Sequence, residues 1–386
     1  MKALLYFGCI ILTLNCHAQS DSQLKELEKM EKNVIQSLEQ GKPDLIPKAN
    51  SLLSKSKEFK SVEYQIKALN FLGIANKDKG YYVTSLNYLL DAIELANQTG
   101  ERERLSNLQN NIGSIHFLQK NYEDALELFQ SSLEIEDSLL NQKNIGKDAK
   151  KKHQAQKSIR LYNLAEVYKD MDSLDAALSY FTSSLLIEQG LGYEEGIDYA
   201  YLGIADVYLR MKMLPDAERT LNNIGLLKDH QVEEKVLFNV LKGRLEISKG
   251  NGSAAAGILN STLKVAEKNG IKRLLPEIYE NLIEAYRKAG EWEMATNSFY
   301  KYSILKEELN SAAVQSQLMD LNFQHKLEQK QLEISLLQEE RDLAQKSAQD
   351  LKDIGNYESR IRWFLILSLL VLVAIVVGGI RYISKR

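Results

Sequence analysis

The sequence predicts an all-α solenoid of stacked helix pairs, and three observations carry that prediction. Only four prolines and 21 glycines interrupt 386 residues. Leu, Glu, Lys, Gln, Ala and Ser dominate, and these types form or tolerate helices. A unit of apolar and small residues recurs about every 40 positions between residues 60 and 305. With 44% hydrophobic residues the chain can bury a continuous core, which separates it from a disordered one.

The unit is clearest at Ile112-Gly113, His116, Tyr122, Ala125, Phe129 and Ser132. It returns as Leu164-Ala165, Tyr168, Leu174, Ala177, Phe181, Ser184, and as Ile204-Ala205, Tyr208, Leu214, Ala217, Leu221. A later copy reads Leu282-Ile283, Tyr286, Trp292, Ala295, Phe299, and an earlier one Leu72-Gly73, Tyr82, Ser85, Leu89, Ala92. A degenerate copy runs from Phe238 and Leu241 through Gly250-Asn251-Gly252 to Ala255, Leu259 and Leu263. Anchors fall at positions 73, 113, 165, 205 and 283, and the last of these steps covers two repeats.

Large residues three and four apart lay one apolar stripe on each of two helices. Small residues at Gly73, Gly113, Ala165 and Ala205, and at Ser85, Ala125, Ala177 and Ala217, let the two helices approach closely. An aromatic at Tyr82, Tyr122 or Trp292 wedges the turn between them. One pair cannot bury its stripe alone, so copies must stack. Pro43 and Pro47 mark the break after the first helix, since proline is tolerated only near a helix start.

This pattern resembles the tetratricopeptide repeat over residues 60–305, in about six copies, with a half-repeat before Gly41. The period is near 40 rather than about 34, which implies helices about one turn longer. Most copies lack the closing proline. The resemblance implies a superhelical solenoid with a peptide-binding inner face.

After the array, residues 302–354 contain no Gly or Pro and are predicted to form one long helix, the stalk over 306–360. A 4-3 spacing from Leu305 meets apolar residues at nine of 15 positions and breaks near Lys326 to Glu333. Such a helix can pair with a second copy as a coiled coil, giving a homodimer. The segment from Phe323 through Leu332-Glu-Ile-Ser-Leu-Leu337 to Arg341, followed by an apolar span, is similar to exported sensor regions of bacterial signalling proteins. In that family a histidine kinase or a LuxR-type DNA-binding domain follows. Here the chain ends at Arg386, so neither output activity is carried over.

The two ends read as addresses. Lys2 and the apolar run Ala3–Leu14 precede Asn15-Cys16-His17-Ala18, the layout of a signal peptide over 1–18 cut before Gln19. A lipidated Cys16 is the competing reading. The run Trp363–Ile380 carries no charge and is flanked by Arg360, Arg362, Arg381, Lys385 and Arg386. Its length suits a transmembrane helix, placed over 361–381 with a short cytoplasmic tail at 382–386. Export then puts residues 19–59 and the array in the periplasm, with the anchor in the bacterial inner membrane.

Composition and spacing exclude most chemistry. Both cysteines, Cys9 and Cys16, lie within the signal-like start, so no disulfide scaffold, cysteine nucleophile or Cys-based zinc site is expected beyond it. Removing Lys2, Arg381, Lys385 and Arg386 from the net charge of −3 leaves −7 between them, no footprint for nucleic acid. His116, His153, His230 and His325 are far apart with no ligand spacing, so no metal site is expected. The glycines from Gly250 to Gly257 read as a turn between repeat helices rather than a dinucleotide loop. No catalytic residue and no cofactor are expected, and the chain is not read as an enzyme.

The candidate site is the inner face of the superhelix. Two residues before the small position stand Asn111, Asn163 and Asn281, whose side chains can both donate to and accept from a peptide backbone. Related groove positions hold Asn107, Asn110, Tyr162, Glu166, Asp206, Glu280 and Arg287. In peptide-binding tetratricopeptide domains Asn at this position contacts the ligand, so the resemblance implies a protein or peptide partner. The long step between the anchors at 113 and 165 hides an insertion near Asn141 to Gln156. Rich in Lys143, Lys147, Lys150, Lys151 and Lys152, it reads as a solvated helical extension, the alternative being a basic patch that docks an acidic partner or phosphate head groups. The chain as a whole reads as a membrane-anchored interaction module. It would be the sensor or adaptor of an envelope signalling system with a separate cytoplasmic or membrane partner, or else a structural scaffold.

Overall fold

The computed structural model describes residues 21–38, 40, 42–225, 232–308, 343, 346–347, 349, 352, 357 and 359–368. It falls into two units, residues 1–317 and 318–386. Among the described residues there are helices and turns and no strand.

In the first unit, α1 (residues 21–38) pairs with α2 (Leu45–Glu58) over a core of Leu27, Val34, Ala49 and Leu52. A whole pair therefore stands where a half-repeat is expected. Six more pairs follow: α3 (Val62–Asp78) with α4 (Tyr82–Thr99), α5 (Arg102–Leu118) with α6 (Tyr122–Leu140), and α7 (Lys147–Asp170) with α8 (Leu174–Leu191). Then come α9 (Glu194–Arg210) with α10 (Leu214–Asn222), α11 (Val232–Ser248) with α12 (Gly252–Lys268), and α13 (Leu275–Ala289) with α14 (residues 292–308). All four prolines lie in the first turn of a helix or in the turn before it, at 43, 47, 215 and 276, where no helical hydrogen bond is lost.

One contact recurs along the array. The small anchor of the first helix meets a large residue 16 positions on, in the second helix. A Cβ added at Gly73 would lie 2.6 Å from Leu89, at Gly113 2.9 Å from Phe129, and at Gly243 2.7 Å from Leu259. Leu89, Phe129, Phe181, Leu221 and Leu259 are each at most 3% exposed, a burial that contributes roughly 2 kcal/mol per side chain. Ser85 strengthens its pair by donating to the Gly73 carbonyl at 2.6 Å. The last member, Phe299, is 58% exposed, and Trp292 at the wedge position is 66% exposed, because no described helix packs over α14.

The turn inside each of the six later pairs is as regular. Seven positions after the anchor the backbone is left-handed: Gly80, Lys120, Asp172, Lys212, Gly250 and Gly290 all have positive φ. The next amide donates back six-to-one, as in Asn121 to the His116 carbonyl and Asn251 to the Glu246 carbonyl, both at 2.9 Å, closing the helix end as a Schellman turn does. First helices also touch first helices along the array, α3 with α5, α5 with α7, α7 with α9, α9 with α11 and α11 with α13, whereas second helices make no comparable contact with each other. The first helices therefore form the tighter, inner layer.

The inserted residues are not a solvated extension throughout. They lengthen α7 at its start and pack His153, only 7% exposed, against the fully buried Glu136, with His153 Nδ1 2.9 Å from Glu136 Oε2. Arg160, 2% exposed, donates to Ser132 Oγ at 2.8 Å and to Asn107 Oδ1 at 2.5 Å, and lies 3.7 Å from Glu136. Burial lowers the Arg160 guanidinium to about 10 against the pull of Glu136, still charged at neutral pH. Ser106 donates to Glu136 at 2.7 Å, and the same trio returns one repeat on as Ser158, Ser184 and Glu188. Glu188 has no cation among these partners, and burial raises its carboxyl above the usual range although Ser158 opposes the shift.

In the second unit residues 359–368 are helical, with Trp363, Phe364, Leu365 and Leu367 exposed. No helix among the described residues is long and apolar enough to cross a membrane. The predicted signal peptide, most of the stalk, the membrane segment beyond 368, and the tail lie outside the described residues, as do His230 and His325.

Two pairs of substitutions test this packing by thermal or denaturant unfolding. A Cβ at Gly252 would sit 2.5 Å from the Ala289 backbone nitrogen, whereas one at Gly257 meets nothing within 4 Å. Gly252→Ala is therefore expected to cost about 2 kcal/mol and Gly257→Ala to gain about 0.5 kcal/mol or more. Glu136→Gln, which removes the charge facing buried Arg160, is expected to cost about 2 kcal/mol. Glu188→Gln should do the opposite. Its folded carboxyl is held above the unfolded value, so wild-type stability falls as pH rises past the unfolded value, and the variant gains at pH 7 but little near pH 4.

Candidate functional site

The inner layer encloses a cavity of about 580 Å³. Every first helix from α3 to α13 contributes to its wall: Lys77, Ser114, Tyr162, Asp206, Leu241 and Glu277 are one residue from each. Size and mixed lining suit a small ligand or a short stretch of chain. Tyr162 is fixed edge-on against Phe181 at 5.2 Å and against Tyr199 at 6.2 Å between ring centroids. Burial pushes the Tyr162 phenol well above its ordinary value, and Glu166 adds to the shift. Tyr199 is raised first by burial and then by its hydrogen bond to Glu234.

Charges on the wall are joined in one chain, with Arg244 behind it as a link. Lys169 Nζ lies 2.9 Å from Glu166 and 3.1 Å from Asp206. Asp206 also meets Arg244 at 2.5 Å and Arg210 at 3.5 Å. Arg210 reaches Asp170 at 3.5 Å, and Arg244 reaches Glu277 at 3.7 Å. Burial works against the charge of both Lys169 and Asp206. For Lys169, Glu166 and Asp206 outweigh it and raise the ammonium; for Asp206, Lys169, Arg244 and Arg210 outweigh it and hold the carboxyl well below its usual range. Glu277 differs: burial raises it, and the opposing pull of Arg244 does not restore it.

Of the ten residues expected on the inner face, Tyr162, Asn163, Glu166 and Asp206 line this cavity together. The other six lie elsewhere, each with a partner that accounts for it. Asn107 accepts from Arg160, and Asn110 accepts from Asn163 Nδ2 at 2.7 Å. Asn111 donates to Asn70 at 2.7 Å, so Asn side chains tie one repeat to the next. Asn281 donates to its own helix at the Glu277 carbonyl, Glu280 accepts from the Tyr302 hydroxyl, and Arg287 pairs with Glu284 at 3.1 Å. His116 Nδ1 stands 3.4 Å from Asp124 on a partly exposed side chain.

Sequence reasoning misses Lys169, Arg210, Arg244, Glu277, Tyr199 and Arg273. One signal is present: Glu166, Asp206 and Arg244 each follow an anchor directly, but the degenerate copy hides its anchor, Gly243. Among the described residues no group of three His, Cys, Asp or Glu side chains is placed to hold a metal ion.

Comparison with known proteins places this geometry. Residues 64–137 match the tetratricopeptide repeat family. No curated relative matches the sequence. Among solved structures, aspartyl phosphate phosphatase F from Bacillus subtilis aligns with a TM-score of 0.57 at 14% identity, over 76% of this chain and 74% of its own. The apo form of RapI aligns at 0.53 and 10% identity, over 74% of this chain and 99% of its own. A signal-transduction ATPase with a tetratricopeptide repeat sensor, from Pyrococcus horikoshii, aligns at 0.51 and 13% identity, over 74% and 44%. At these identities the likeness is one of fold. The resemblance to exported sensor regions with kinase or DNA-binding outputs is not shown by these comparisons. The family match and the shared all-α repeat fold together support a tetratricopeptide-repeat protein.

Proposed function

We propose that the chain is a non-catalytic interaction module that receives a protein or peptide segment on the inner face of its solenoid. The observation that supports this most is the cavity walled by first helices from six successive repeats, with Tyr162, Asn163, Glu166 and Asp206 facing it together. Asn163 presents an amide that donates and accepts, and the surrounding leucines offer apolar contact. Glu166 and Asp206 are each held in place by an ion pair to Lys169, so little ordering remains to be done on binding.

The signal-like residues 1–18 and the uncharged run Trp363–Ile380 favour an exported protein held in the inner membrane of a bacterium. There the module serves as the sensor or adaptor of an envelope signalling system, passing an event to a separate partner through the stalk, with the stalk also pairing two copies. A scaffold for envelope proteins is the second reading, and a cavity that only holds a partner suits it equally.

Co-purification of the detergent-solubilised full-length protein from its own bacterium, followed by mass spectrometry, tests the proposal. The expected result is a retained partner whose recovery falls about tenfold in Ser114→Trp, which projects an indole into the cavity. Wild-type recovery in that variant, at unchanged melting temperature, contradicts binding on the inner face. Recovery of a kinase, response regulator or membrane-bound regulator favours the sensor, and recovery of only transport or cell-wall proteins favours the scaffold. A helix-breaking insertion at Leu337 should abolish signalling while sparing partner recovery.

A further inference from the structure

The ion pairs of the cavity do not balance. Four carboxylates, Glu166, Asp170, Asp206 and Glu277, are linked to three cations, Lys169, Arg210 and Arg244. Lys77 and Arg273 also line the wall, but each is held by a carboxylate of its own, Asp78 at 3.5 Å and Glu233. The network is therefore one cation short.

The shortfall falls on Glu277. Asp206 has three cations and Glu166 has Lys169 at 2.9 Å, whereas the cation paired with Glu277 is Arg244 at 3.7 Å, beyond hydrogen-bond reach and already committed to Asp206 at 2.5 Å. Glu277 lines the cavity and its side chain is 40% exposed. A carboxylate so placed, on a wall that also offers Tyr162 and Tyr199, is the complement of an ammonium or guanidinium group.

We infer that the cavity recognises a positively charged group of its peptide ligand, a lysine or arginine side chain or a free N-terminus, with Glu277 as the carboxylate that receives it. The inference rests on the proposal that the inner face binds a peptide, and adds the chemistry that selects it. It also explains why a network of buried ions is left open at one end: Lys169 and Arg244 hold Asp206 in place and leave Glu277 to the ligand.

Synthetic pentapeptides provide the test, titrated calorimetrically into the full-length protein in detergent. Four are compared: N-acetyl-Ala-Ala-Lys-Ala-Ala-amide, the same peptide with norleucine for lysine, the same with glutamate, and penta-alanine amide with a free N-terminus. The lysine peptide should bind about tenfold more tightly than the norleucine peptide, as a charged hydrogen bond warrants, and the glutamate peptide more weakly than either. Glu277→Gln should remove the lysine preference, while Glu284→Gln, on the same helix and paired with Arg287, should keep it. Tighter binding of the free N-terminus than of the lysine peptide would assign the site to the chain end. Equal binding of the lysine and norleucine peptides, or a preference that survives Glu277→Gln, overturns the inference and leaves a peptide groove that ignores charge. Failure of all four peptides to bind overturns the inference together with the peptide reading.

Discussion

The contact between a small anchor and a large residue 16 positions later sets the geometry of the whole array. Gly73 on Leu89, Gly113 on Phe129 and Gly243 on Leu259 leave no room for a side chain between the two helices. Whether the anchor is glycine, alanine or Ile283, the connecting turn closes in one way, with a left-handed residue seven positions after it. Glycine takes that position in three pairs, and Lys120, Asp172 and Lys212 take it in the others, accepting a strain that tight packing must offset. Similar pairs stack one on the next, and the first helices form the inner layer.

That layering decides where chemistry can gather. Residues directly after an anchor line the cavity as a row in three successive repeats, as Ser114, Glu166 and Asp206, and Arg244 at the same position of the next repeat pairs with Asp206. Spacing by stacked repeats, rather than by a loop, keeps the row rigid. Interactions along it are strong because the wall is sheltered from water. A partner entering the cavity meets charges already oriented, which lowers the ordering it must impose.

Much of the array is legible in the sequence, since anchors, wedges and stripes repeat in register. The turn at Gly250 and the small positions at Ser85, Ala125, Ala177 and Ala217 follow from offset alone. What escapes is polar and three-dimensional. Asn111 and Asn163 look equivalent by position, yet Asn111 is spent on Asn70 while Asn163 both bridges to Asn110 and faces the cavity. The lysine-rich insertion looks solvated by composition, yet His153 turns inward onto Glu136, and Arg160 just beyond it turns inward onto Ser132 and Ser106. Such partners sit on different helices, beyond the reach of any local pattern. Arg244 escapes because the repeat that carries Gly243 lacks the usual aromatic marks, and Glu277 because it lies six residues before its anchor, at no position the repeat pattern marks.

Hydrogen–deuterium exchange of the full-length protein, alone and with its captured partner, tests most directly that the inner layer is the binding surface. The account predicts added protection in α7, α9 and α11, centred on residues 162–170, 199–210 and 237–244. Protection confined to α8, α10 and α12 would contradict it, because those helices form the outer layer and contribute nothing to the cavity wall.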